Sequence, residues 1–266
     1  MEPRPVPPPP AAAAGRPLAL VTGAAQRIGR AIALELAAHG WDVALHYRHS
    51  AAEAENTASA VRAAGGRARL CAADLTVEAE CEALVPAVLQ ACGRIDALVN
   101  NASLFEPDDV TSFGHAALER HWRANTAAPV LLARALQRAG GSAVVNLLDQ
   151  KLWNPNPDYF SYTLSKAALE AATTMLALAL APQVRVCGVA PGLTLRSGDM
   201  SDAEFERAHA MTPLGRGATA EDIARSVRFL LESPAVTGTT LLVDGGQHLA
   251  AQRRDVAHLA RAAGRA

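Results

Sequence analysis

The sequence predicts an α/β fold, a single doubly wound domain built on a parallel sheet of seven strands. Three observations predict it. Short apolar runs alternate with longer stretches of helical periodicity through nearly the whole chain, the pattern of parallel strands covered by helices on both faces. The first apolar run ends in a glycine-containing turn that opens the first helical stretch, so that a helix N-terminus is set to face a phosphate. No internal repeat and no linker divides the 266 residues, and a chain of that length is enough for one large domain with a sizeable core.

The elements follow in order. LALVT, residues 18–22, is a buried strand by its run of apolar residues. GAAQRIG turns the chain into a helix that closes at Gly40. WDVALHYR and RARLCAADL are the second and third strands, each followed by a helix, over 50–66 and 77–93. IDALVNNAS is a fourth strand running into a loop, and residues 115–139 read as one long helix in which Pro129 is a candidate break. SAVVNLLD is the fifth strand, residues 158–181 the next helix, and QVRVCGVAPG and TLLVDGG the last two strands. Between those strands lie an irregular stretch, 193–212, with the position of a mobile substrate flap, and a helix over 220–231. Residues 1–16 are Pro- and Ala-rich and read as a disordered tail, leaving 17–250 as the domain. Residues 251–266 read as either a short amphipathic helix or a frayed tail.

Composition excludes several classes. A net charge of −1 at pH 7 provides no basic surface for nucleic acid or anionic lipid. No apolar run is long enough to span a bilayer. Cys71, Cys81, Cys92 and Cys187 show no CxxC pairing and read as free thiols of a reducing cytoplasm. The histidines show no HExxH spacing, and no metal site is expected.

The chemistry gathers in NLLDQKLWNPNPDYFSYTLSKAALEAA, residues 146–172. Tyr162 and Lys166 are four apart on a helical run, hence on one face and one turn apart. A phenol beside an ammonium is a proton donor whose pKa the positive charge lowers. Lys151 and Lys166 are the only two lysines in a chain that otherwise uses arginine, which points to a need for the compact ammonium. At the other end, Thr22-Gly23-Ala24-Ala25-Gln26-Arg27-Ile28-Gly29 is the candidate phosphate turn, with Gly23 for the tight turn and Gly29 for close helix packing. The second strand ends in His46-Tyr47-Arg48-His49-Ser50, without the carboxylate that holds the ribose diol of NAD. Arg48 and Ser50, with Arg27 nearby, suit a 2′-phosphate through charge-assisted hydrogen bonds, which favours NADP(H). Asp74 reads either as an acceptor for the adenine amino group or as a helix cap.

The motifs TGAAQRIG, Asn100-Asn101-Ala102, Asn125, Tyr162-Thr163-Leu164-Ser165-Lys166 and Pro191-Gly192 stand in one order across residues 17–248. Together they resemble the short-chain dehydrogenase/reductase family. The resemblance implies a Rossmann-type fold, a nicotinamide cofactor and a homo-oligomer, tetramer or dimer, whose interface uses the apolar faces of the helices over 115–139 and 158–181. It implies that Lys166 holds the nicotinamide ribose and lowers the Tyr162 pKa, and that Asn125 supports a water linked to Lys166. It also places Gly23, Arg27, Ile28, Tyr47, Arg48, His49, Ser50, Asp74 and Leu75 along the cofactor, with Asn101, Ala102, Ser103, Pro191, Gly192, Leu193 and Thr194.

The departures from the family pattern carry the substrate reading. Asp149 stands thirteen residues before Tyr162, where most relatives keep serine, and Ser103 replaces the glycine of the NNAG loop, followed by Leu104 and Phe105. With LHYRHSAAEAE and Arg27, these features resemble the pteridine reductase branch, although Arg48 and His49 stand in the reverse order from its His-Arg pair. That branch implies a pterin stacked between Phe105 and the nicotinamide, contacts from Arg27 and Ser103, and Asp149 on the pterin's polar edge. A carboxylate accepts from ring N–H and amino donors but repels a developing oxyanion. Asp149 reads either as that acceptor or as a strand-end cap, and Phe105 either as a stacking platform or as core. The function expected is NADPH-dependent reduction of a dihydropterin to a tetrahydropterin, with Tyr162 and Asp149 handling the proton. The second reading is a general carbonyl or 3-oxoacyl reductase. A third, a non-catalytic nucleotide-binding protein, is disfavoured by the intact Asn125, Tyr162 and Lys166.

Overall fold

The computed structural model describes residues 15–196 and 200–263. Residues 1–14 of the Pro- and Ala-rich tail lie outside the described residues, while Arg16 at its end is anchored, donating to the Ala37 and Trp41 carbonyls at 2.7 and 3.1 Å. Seven strands form one parallel sheet: β1 (Leu18–Val21), β2 (Asp42–Tyr47), β3 (Ala68–Ala72), β4 (Ala97–Asn100), β5 (Ala143–Leu147), β6 (Arg185–Pro191) and β7 (Thr240–Val243). Their order is β3-β2-β1-β4-β5-β6-β7. The helices are α1 (Arg27–Ala38), α2 (Ala51–Ala63), α3 (Glu78–Cys92), α4 (His115–Trp122), α5 (Ala128–Arg138), α6 (Phe160–Leu180), α7 (Asp202–Ala210), α8 (Ala220–Glu232) and α9 (Val256–Ala263).

Period-two alternation divides the core between the two sheet faces. Leu18 and Leu20 of β1 join Leu98, Val144 and Val186 beneath α3 and α5, whereas Ala19 and Val21 join Leu45, Val99 and Val145 beneath α1 and α8. Leu20, Ile32, Leu36 and Leu132 are fully buried, each contributing about 1.5–3 kcal/mol. The strand order reverses between β1 and β4, and the crevice at the carboxyl ends of these strands is where such sheets bind ligands.

Two expectations change. Residues 115–139 are not one regular helix. A π turn over Arg123–Ala127 joins α4 to α5, and Pro129 has no amide to meet the Asn125 carbonyl four residues back, which removes one α-helical bond at that point. The 193–212 stretch is not irregular throughout. It contains α7, whose Ser201 and Glu204 form a complete capping box. Within the C-terminal stretch, Val256–Ala263 is helical, and this α9 packs on α7, with Ala208, Val256 and Ala260 forming a small cluster against Leu193.

Candidate active site

The phosphate turn is held from three sides. Gly23 has φ +62, a left-handed conformation that favours glycine. A Cβ on Gly29 would fall 2.2 Å from the Gly23 carbonyl oxygen. Thr22 Oγ1 accepts from the amides of Asn101 and Ala102, each at 2.9 Å, and Asn101 Nδ2 donates to the Thr22 carbonyl at 2.8 Å. His46, which sequence reasoning passed over, accepts from the Gly23 amide through Nδ1 at 3.1 Å and donates through Nε2 to the Ala73 carbonyl at 3.0 Å. Burial lowers its pKa, which favours the neutral ring this pattern needs. Sequence could have flagged it as a histidine inside an otherwise apolar strand.

A cavity of about 630 Å³ opens beside this turn, bounded by Gly23, Ile28, Arg48, Asp74, Leu75 and Ala102. Arg27, Arg120 and Arg123 also line it, which suits a polyanionic ligand. The last two were not singled out from sequence. Tyr47, His49 and Ser50 are not part of this lining. Asp74 closes a local turn, accepting from the Thr76 amide at 2.9 Å and hydroxyl at 2.7 Å, and lies 3.9 Å from Arg48; it does not cap α3, which starts after Val77 without a side-chain cap.

An adjoining cavity of about 230 Å³ shares Arg27, Ile28, Asn101 and Ser103 with the first and reaches Asp149, Tyr162, Lys166, Pro191, Gly192, Leu193 and Thr194. Asp149 is a strand-end cap and also the partner of Tyr162. Its Oδ1 caps a 3₁₀ turn over Gln150–Leu152 by accepting from the Lys151 amide at 2.8 Å, and its Oδ2 accepts from the Tyr162 hydroxyl at 2.8 Å. Burial pushes the Asp149 carboxyl upward despite these bonds.

Tyr162 departs from expectation. Its pKa is raised well above 10, first by burial and then by the Asp149 charge and hydrogen bond. The ammonium of Lys166 points to the Leu147 carbonyl at 2.7 Å and lies 5.8 Å from the Tyr162 ring centroid. Burial lowers Lys166 to about 8. Tyr162 is therefore a protonated donor to a carboxylate, not a phenol acidified by a lysine.

Asn125 sits on the π turn, fully buried. Its side chain clamps the 103–104 loop to α6, with Oδ1 accepting from the Leu104 amide at 2.7 Å and the Ser103 hydroxyl at 3.1 Å, and Nδ2 donating to Leu104 O and Ser165 Oγ. Phe105 is 41% exposed and so is not core. It stacks on Tyr159 at 4.2 Å and meets the Tyr162 ring edge-on at 4.7 Å. Arg27, in the left-handed region at φ +55, donates to the Arg196 carbonyl at 2.8 Å, tying the phosphate turn to the segment after β6. Lys151, Tyr159, Asp255 and Val256 complete the wall of the smaller cavity, and none of these was read from sequence as a site residue.

A parallel sheet with a glycine turn at its switch point, and a tyrosine and lysine at the strand ends beside it, defines a nicotinamide-type oxidoreductase scaffold. Residues 23–248 match the family described as enoyl-(acyl carrier protein) reductase, and the chain belongs to the short-chain dehydrogenase/reductase family. Within that family it is similar to the pteridine reductase branch. It is 36% identical to pteridine reductase 1 of Leishmania tarentolae, over 88% of this chain and 96% of that protein. A crystal structure of FolM alternative dihydrofolate reductase 1 from Brucella canis, complexed with NADP, superposes with a TM-score of 0.82 at 42% identity, covering 88% of this chain and 95% of the other. A putative ketoacyl reductase of granaticin polyketide synthesis from Streptomyces violaceoruber is 34% identical, over 88% of this chain and 96% of that protein.

Proposed function

We propose that this protein is an NADPH-dependent reductase that converts a dihydropterin to a tetrahydropterin. The observation that carries the reading is the Asp149 carboxylate bonded to the Tyr162 hydroxyl at 2.8 Å beneath the exposed ring of Phe105. A carboxylate at that point accepts hydrogens, and a pterin edge offers ring N–H and amino donors. The similarity to pteridine reductase 1 and to the NADP complex of FolM supports the same reading.

The residues fit the cofactor. Gly23 and Gly29 bring the start of α1 close to the pyrophosphate position, and Arg48, which lines the cavity, is suited to the 2′-phosphate, with Arg27 at the phosphates. Lys166 holds the nicotinamide ribose beside Pro191, Gly192, Leu193 and Thr194. The bound cofactor supplies the hydride that reduces a ring C=N at carbon. Phe105 would provide a stacking face for the pterin ring. Asp149 holds the donor edge of the substrate, Ser103 contacts it, and Tyr162 with Asp149 delivers the proton to the ring nitrogen. Leu193, Thr194 and Leu195, which follow β6, line the pocket.

The reading includes a cytoplasmic protein, supported by free thiols at all four cysteines. It also includes a homotetramer, supported by the exposed apolar side chains of α4 and α6.

Comparing kcat/KM for 7,8-dihydrobiopterin with that for a 3-oxoacyl thioester tests the activity. Asp149→Ser is expected to lower pterin turnover by roughly 10²–10⁴-fold while sparing or raising thioester reduction. Preferred turnover of the thioester by the wild-type protein, as its ketoacyl reductase relative suggests, would replace the pterin reading.

A further inference from the structure

Lys151, the lysine left without a role above, is 3% exposed, a rare state for an ammonium unless it is paired. Its backbone amide donates to Asp149 Oδ1 at 2.8 Å. Its Nζ donates to Asn156 Oδ1 at 2.6 Å and to Asp255 Oδ2 at 3.1 Å, and it lies 5.3 Å from the centroid of the Tyr159 ring. The same ring is stacked between Phe105 and His258 of α9, at 4.2 and 6.2 Å. Asp255 is itself fixed, because its amide donates to Asp158 Oδ2 at 2.7 Å while Arg254 bonds both Asp158 oxygens at 3.0 and 2.9 Å. With Asn154, which donates to the Ala250 carbonyl at 2.7 Å and accepts from the Gln252 amide at 3.2 Å, three bonded links thus fasten the C-terminal segment to the loop between Asp149 and α6. One of them ends on the residue whose amide sets the carboxylate.

We propose that Lys151 is a positioning residue for the Asp149–Tyr162 pair and that Asp255, brought in from the C-terminal segment, holds it there. The inference rests on the reading of that pair as the proton-handling groups. With Nζ anchored, the Lys151 amide keeps Asp149 Oδ1 occupied and leaves Oδ2 aimed at Tyr162. With Nζ unanchored, the 3₁₀ turn gains freedom, and the carboxylate loses its fixed orientation. The titratable groups facing Asp149 are Tyr162 and Lys166 from α6, Asp255 from the C-terminal segment and Arg27 at the start of α1, which shares its cavity. His121 of α4 lies 6.4 Å from the Tyr162 ring, and His258 contacts the pair only through Tyr159. Among these, the Asp255 charge raises both Asp149 and Tyr162.

Asp255→Asn and Lys151→Met, made in the full chain, test the proposal through kcat against pH with NADPH and 7,8-dihydrobiopterin. Both variants are expected to lose roughly tenfold in kcat while NADPH binding, followed by fluorescence, stays within about twofold of wild type. The pH profiles are expected to move in opposite directions. Asp255→Asn removes a negative charge and shifts the profile to lower pH. Lys151→Met leaves that charge uncompensated and shifts it to higher pH. Lys151→Arg keeps the charge and donors and is expected to retain the wild-type profile; it also serves as the reference if Lys151→Met does not fold, the comparison then resting on Asp255→Asn. Folded variants with unmoved profiles and undiminished kcat would overturn the proposal. If the wild-type protein reduces only a 3-oxoacyl thioester, the pterin reading falls, and the same profiles measured on the thioester decide the role of Lys151 independently.

Discussion

Lys166 is kept where burial disfavours its charge. Its pKa falls from the ordinary 10.5 to about 8, so the folded state releases a proton that the unfolded chain retains. Between those values the unfolded state binds more protons, and stability rises with pH; below about 8 the penalty is present in full. The displacement corresponds to about 3 kcal/mol, against which losing the donor to the Leu147 carbonyl costs about 1 kcal/mol. Lys166→Met is therefore expected to abolish reduction yet make the cofactor-free protein about 1–2 kcal/mol more stable at pH 7, with a smaller gain in stability from pH 8 to 10 than wild type. Urea denaturation of both proteins across that range reads the difference. A variant that is no more stable than wild type, with an unchanged slope, would contradict it. The proximity of Tyr162 and Lys166 was legible in sequence because their spacing is local, and that of Asp149 to Tyr162 through the family resemblance. The direction of the tyrosine's shift was not, because it depends on which partner each side chain turns to: Lys166 turns to a backbone carbonyl and Tyr162 to a carboxylate.

The strand–turn–helix unit at the start of the chain is organised around backbone proximity. A side chain on Gly29 would collide with the Gly23 carbonyl oxygen and with Asn101 Nδ2, at 2.2 and 2.6 Å, and neither backbone nor clamped amide gives way readily. Gly29→Ala is expected to push α1 off the turn, costing about 1–3 kcal/mol of stability and at least tenfold in NADPH affinity, since the amides at the helix start lose their approach to the phosphates. NADPH fluorescence titration and a melting curve measure both effects; unchanged affinity would show that α1 does not set the phosphate site. This unit was readable because glycine positions report backbone geometry directly. The π turn was readable only as a candidate break at Pro129. Where a helix registers the missing amide depends on how Asn125 is clamped by Ser103, Leu104 and Ser165, and those contacts come from tertiary packing.

The sheet and the helices on its two faces followed from alternation, because a buried parallel strand needs little beyond an apolar run of the right length. The packing of α9 on α7 did not follow, because they meet through small residues such as Ala208 and Ala260, and the Lys151–Asp255 pair spans 104 positions. The remaining large-scale feature is what covers α6. Met175 and Leu178 are 68% and 78% exposed, and Leu164 and Trp122 are 42% and 48% exposed. Met175 and Leu178 lie about three and four turns beyond Leu164, so the three share one face, and Trp122 belongs to α4, which packs beside α6. Covering a methionine or leucine is worth about 1.5–3 kcal/mol per side chain, and a two-fold contact counts each of them twice. Placing charges there removes that gain and sets like charges against each other across the axis. Met175→Glu combined with Leu178→Glu is thus expected to leave the circular dichroism spectrum unchanged while lowering the mass measured by light scattering to that of a smaller assembly. A mass equal to wild type would mean that this face is not an interface between copies of the chain.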